Sequence, residues 1–122
     1  MLLEVRKLIF SDELFQQALL GHCAREKVNV PYSKIQKIRI INPSNGTARV
    51  LVEFIAAAPN KLFEVQLDEQ FVLTAMILAC KVYGVPLLRD ATKALQHTDQ
   101  GLAMTISMRI GTPILKPLAN IN

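Results

Sequence analysis

The sequence predicts an α+β protein, built from two β-α-β-β units whose strands form a mostly antiparallel sheet with two helices packed on one face. Three observations lead there. The stretch from Asp68 to Pro86 reads as a helix that is apolar on nearly every side, and such a helix belongs under other elements. Residues Leu102 to Ile110 alternate apolar and polar with the period of a strand. The order strand, helix, Val-Pro, hairpin occurs twice, with Pro31 matching Pro86 and Gly46 matching Gly101 at an offset of 55 residues. One residue out of step, Asp12, Glu13 and Phe15 match Asp68, Glu69 and Phe71. A repeat of this period decides the architecture before any motif does. The units span 1–58 and 59–110 of one domain, 1–110; residues 111–122, with Pro113 and Pro117, read as an irregular tail.

Taken in order, Leu3 to Phe10 mix apolar and charged residues and read as a strand. Ser11 is an N-cap type, and Asp12 and Glu13 fill the first turn, where the helix dipole favours negative charge. The helix from Asp12 to about Lys27 carries Leu14, Phe15, Ala18, Leu19, Cys23 and Ala24 at helical spacing, with Gln16, Gln17, Arg25 and Glu26 opposite. A hairpin follows. Ile38 and Ile40 alternate with Lys37 and Arg39, and after the turn residues Asn42 to Gly46, Ala48, Val50, Val52 and Phe54 share a face. Matching faces sets the register: Ile40 opposite Val50, Ile38 opposite Val52 and Lys37 opposite Glu53, with Gly46 left-handed in a three-residue loop. A short strand from Leu62 to Leu67 runs into the central helix, which Asp68 caps and Gly84, Val85 and Pro86 stop. Leu87 to Thr98 fits a helical turn or a strand; the tight turn Thr98 to Gly101 before a strong strand favours Lys93 to His97 as the first arm of a second hairpin.

The 122 residues, 51% hydrophobic and 20% charged, describe a globular chain, not a disordered one. A chain this long buries roughly two-thirds of its unfolded surface and needs neither disulfide nor metal to fold. Glu53 and Thr74 interrupt the best candidates for a membrane span. The opening MLLEVRKLIF puts charges where a signal peptide would have its apolar core, so the expected location is the cytoplasm. Cys23 and Cys80 lack the C-x-x-C spacing of a redox or metal site and read as buried free thiols.

Little in the chain points to catalysis. His22 and Cys23 could suggest an activated nucleophile, but helix neighbours point about 100° apart and do not face one another. No ligand-spaced cluster of His, Cys, Asp and Glu, no Gly-rich phosphate loop and no Ser-centred elbow is visible, so no catalytic residue, metal or cofactor is expected. The acidic pairs at Asp12 and Asp68 fit first-turn dipole partners better than an acid/base pair. The net charge of +4 permits an anionic partner without requiring one. Lys34, Lys37, Arg39 and Arg49 gather near the first hairpin, and Arg89 and Lys93 occupy the corresponding place after the second helix. Two such patches could grip a phosphate backbone or a two-fold anionic ligand. No aromatic residue interleaves them, as it would in a single-strand binder, and local ion pairs such as Lys37 with Glu53 would explain the charges as a solvated strand face. The expectation is therefore a small non-catalytic interaction module that self-associates as a homodimer or binds a partner protein, through its over-apolar helix or an edge strand. The alternative is an anion binder acting on nucleic acid or a phosphorylated small molecule; nucleic acid is not favoured, and no membrane is implied.

Overall fold

The computed structural model describes residues 2–28, 33–42, 48–56 and 61–110. The elements follow in the order β1 (Leu2–Phe10), α1 (Asp12–Arg25), β2 (Ser33–Ile41), β3 (Arg49–Ala56), β4 (Leu62–Asp68), α2 (Glu69–Val82), β5 (Thr92–Thr98) and β6 (Gly101–Ile110). The α+β class stands, and the segment of open type is settled: Thr92–Thr98 is the first arm of a hairpin, and Val85 to Ala91 is neither helix nor strand. The strands do not join in one sheet. They divide into two antiparallel three-stranded sheets, ordered β1-β6-β5 and β2-β3-β4. Each sheet takes a hairpin from one half of the chain and the opening strand of the other half.

The middle strands build the core. In β3, Val50, Val52 and Phe54 are fully buried; in β6, Leu102, Met104 and Ile106 are buried too. Every second residue of a strand shares a face, so each row is one side of a pleat turned toward the helices. Phe15, Leu19 and Cys23 of α1 and Val72, Leu73, Met76 and Cys80 of α2 complete the same cluster. The helix α1 touches α2, β1 and β6, while α2 also touches β3, β4 and β5. That accounts for an α2 apolar on nearly every side: it meets a helix and both sheets.

The first hairpin keeps the register expected from its faces, with Ile40 opposite Val50, Ile38 opposite Val52 and Lys37 opposite Glu53. A bulge between Ile35 and Lys37 shifts the phase of β2. Near it, the Ile35 amide donates to Oε1 of Gln16 at 3.0 Å, tying β2 to α1. The loop glycine Gly46 and the repeat landmark Pro31 lie outside the described residues.

The two helices are bounded alike. Each has 14 residues, and each ends in a Schellman motif. In α1 the Val28 amide donates to the Cys23 carbonyl (2.8 Å) and Lys27 to Ala24 (3.3 Å). In α2 the Val85 amide donates to Cys80 (2.8 Å) and Gly84 to Lys81 (3.1 Å). The bounds of the two helices stand 57 residues apart, Asp12 from Glu69 and Cys23 from Cys80. The left-handed position holds Gly84 (φ 71°) in one and Lys27 (φ 56°) in the other. The starts differ. Ser11 caps α1 through its Oγ, which accepts from the Leu14 amide at 3.2 Å. Asp68 sits at the N-cap of α2 but makes no side-chain cap bond; its carboxylate instead meets Arg49 at 3.1 Å. In the second hairpin, Gly101 (φ 138°) admits no side chain, because a Cβ there would fall on the carbonyl oxygen of Phe10.

Candidate functional site

The six basic residues lie on β2, β3, β5 and the segment ahead of β5. On β2, Lys34, Lys37 and Arg39 are exposed and alternate with Ile35, Ile38 and Ile40, which pack on the core. Arg49 lies on the neighbouring strand, opposite Ile41. Acidic residues share this outer face: Glu53 of β3 and Glu64 and Asp68 of β4 stand in the same cross-strand rows. Arg39 reaches Glu64 at 3.6 Å and Arg49 reaches Asp68 at 3.1 Å. These are the ion pairs formed among the described residues, in place of the expected pair between Lys37 and Glu53. Arg39 spans β3 to a carboxylate two strands away, whereas Arg49 pairs with the residue that faces it on β4. Lys93 is also engaged. Its Nζ donates to the carbonyls of Leu88 and Ala91, both at 3.1 Å, and so closes the turn ahead of β5. Of the six, Lys34, Lys37 and Arg89 are exposed and make no such bond among the described residues.

Between β2, the start of α1 and the tip of the second hairpin runs a cleft of about 350 Å³. It gathers Asp12, Lys37, His97 and Asp99 with the amides of Gln36 and Gln100. The tip is shaped by Thr98, whose Oγ1 accepts from the Gln100 amide (3.2 Å) and donates to the Gly101 carbonyl (2.6 Å). Two carboxylates against one ammonium make this cleft mixed in sign, unlike an anion site. No cluster of three potential metal ligands occurs among the described residues.

His22 and Cys23 are both buried, at 4% and 2% exposure. The His22 ring lies against Phe71 of α2, centroids 4.5 Å apart and tilted by 48°, and its Nδ1 has no hydrogen-bond partner among the described residues. Desolvation pushes the Cys23 thiol above its ordinary pKa, the reverse of what a nucleophile requires. Cys80 is raised for the same reason, partly offset by the charge of Arg6. The pair is helix packing, and both cysteines are free and buried, as expected.

The helices leave apolar surface open at the end of α2. On α2 the large exposed residues are Val82 and, just beyond it, Tyr83. They line a groove of about 460 Å³ with Leu14, Ala18, Leu78 and Lys81. The concentration of exposed apolar residues is on β1, where Leu2 is 64%, Leu3 59%, Val5 59% and Ile9 42% exposed. The strand is the outer member of its sheet and pairs on one side with β6 along its length, from Leu2 opposite Ile110 to Phe10 opposite Leu102. Inward residues Leu8 and Phe10 reach the core, whereas Leu2 to Val5 are exposed on both faces. Periodicity could not find this site, since it reports which face of a strand is apolar and not whether anything covers that face.

Neither a family model, nor a curated protein, nor a solved structure matches the chain. No helix among the described residues is long and apolar enough to cross a membrane.

Proposed function

We propose that this protein is a small non-catalytic interaction module that self-associates through the open edge of β1. The observation that carries the reading is the exposure of Leu3, Val5 and Ile9 on an outermost strand. An apolar edge whose outer amides and carbonyls have no strand partner among the described residues, together with a hydrophobic row, is a template for another strand. The helix route to self-association has less support, because α2 already spends its apolar faces on α1 and both sheets. Anion binding also has less: three of its six residues are engaged by carboxylates or carbonyls, and acidic residues interrupt the others. Sedimentation equilibrium over a range of concentrations tests the reading. A mass that rises to a multiple of the chain supports it, and a single chain mass up to the highest concentration refutes it.

A further inference from the structure

We infer that the partner is a second copy of this chain, joined antiparallel along β1 with Val5 on the two-fold axis. The inference rests on the self-association just proposed. The sheet β1-β6-β5 would then continue across the axis into the same sheet of the second copy.

The register follows from symmetry and charge. When a strand pairs with its own copy about an axis perpendicular to the sheet, residues directly opposite point to the same face. Side chains alternate, so only residues of equal parity can face each other, and a residue, not a gap, must sit on the axis. Centring on Glu4, Arg6 or Lys7 puts that residue against its own like charge, which destabilises a cross-strand pair. Centres nearer either end shorten the ladder. Centring on Val5 places Glu4 opposite Arg6 of the second copy, twice by symmetry, Leu2 opposite Leu8, and Leu3 opposite the stem of Lys7. Of the central registers, it alone matches unlike charges and opposes no like ones.

The monomer is prepared for this arrangement. Arg6 is held by donating Nη1 to the Pro86 carbonyl at 3.2 Å, and a guanidinium has further N–H groups for a carboxylate. Glu4 is exposed. The ladder covers Leu2, Leu3 and Val5, the three most exposed apolar residues of the strand.

Oxidative cross-linking tests the register. Val5→Cys brings two thiols together on the axis, at a cross-strand Cα separation of about 4.5–5.5 Å that suits a disulfide. Leu3→Cys leaves its two thiols roughly 14 Å apart along the strands, out of reach. The native Cys23 and Cys80 are buried and do not compete. The expected result is a covalent dimer from Val5→Cys and none from Leu3→Cys. A charge exchange gives an independent reading: Glu4→Arg and Arg6→Glu each weaken the homodimer about tenfold, and an equimolar mixture of the two restores the association as a heterodimer. Should Arg6→Glu fail to fold, Val5→Glu, at an exposed position, dissociates the dimer by opposing like charges on the axis. A wild type that dimerises while Leu3→Cys cross-links as well as Val5→Cys, or while Glu4→Arg changes nothing, overturns the register and leaves self-association standing. A monomeric wild type overturns both.

Discussion

Replacing Lys27 with glycine should stabilise the protein, and the second helix supplies its control. Lys27 holds φ 56° at the position where Gly84 holds φ 71°, each within the same pair of helix-ending hydrogen bonds. An L-residue in this region costs about 1–2 kcal/mol. Glycine avoids that cost but loses about 0.5–1 kcal/mol more chain entropy on folding. Removing an exposed cation from the helix C-terminus gives up about 0.3 kcal/mol of dipole interaction. The balance for Lys27→Gly is a gain of about 0.5 kcal/mol. The reverse change is cleaner, because a Cβ at Gly84 meets no atom within 4 Å. Gly84→Ala therefore carries only the backbone term and should cost about 1 kcal/mol. Urea unfolding reads both, with midpoints moving in opposite directions and the slope unchanged. If Lys27→Gly lowers the midpoint as much as Gly84→Ala does, the left-handed strain assigned to Lys27 is not there.

Two further outcomes follow from the helix ends and the buried thiols. Ser11→Ala should cost about 1 kcal/mol, since its Oγ caps Leu14. Asp68→Ala should cost less, because Asp68 makes no cap bond and its ion pair with Arg49 is exposed and worth about 0–1 kcal/mol; urea midpoints in the opposite order would refute the assignment. Burial raises the folded-state pKa of Cys23 and Cys80 above the ordinary thiol value of 9.0. The unfolded chain releases these protons first, so their contribution is complete below that pH and is lost as pH rises through the folded values. Urea midpoints measured into alkali should fall more steeply for the wild type than for Cys23→Ala; equal slopes would refute this.

Much of the local structure was legible because it depends on neighbours in sequence. Alternation set the first hairpin and the last strand, the turn Thr98 to Gly101 pointed to the first arm of the second hairpin, and matching faces set the register of the first at Ile40 with Val50, Ile38 with Val52 and Lys37 with Glu53. Even the bulge left a trace: Ile35, Ile38 and Ile40 step by three and then by two, which a strand can accommodate only by slipping phase. What the pattern lacked was long-range information. Nothing in Leu2 to Phe10 specifies β6 as a neighbour about a hundred residues away, so the division into two sheets was out of reach. The partners of the charges were hidden for a related reason. A run of Lys34, Lys37 and Arg39 looks basic along the chain, but Glu64 and Asp68 arrive on the same face from a strand that the sequence does not place there.

The same limit separates the apolar excess visible in the sequence from the one visible in the fold. In sequence, the most conspicuous apolar excess is α2, and an excess invites an interface. In the fold, that excess is absorbed by α1 and by both sheets, leaving Val82 and Tyr83 exposed at its end. β1 attracts no notice as a sequence, since its mixture of Leu, Val, Glu, Arg and Lys is ordinary for a half-buried strand. It becomes anomalous only when the core is drawn, because Leu8 and Phe10 reach it while Leu2, Leu3 and Val5 do not. Apolar residues that the fold does not use, on a strand whose outer hydrogen-bonding edge faces away from β6, call for a partner that supplies both a strand and an apolar row. In the proposed dimer a second β1 would supply both, with Glu4 and Arg6 on either side of Val5 matched across the axis.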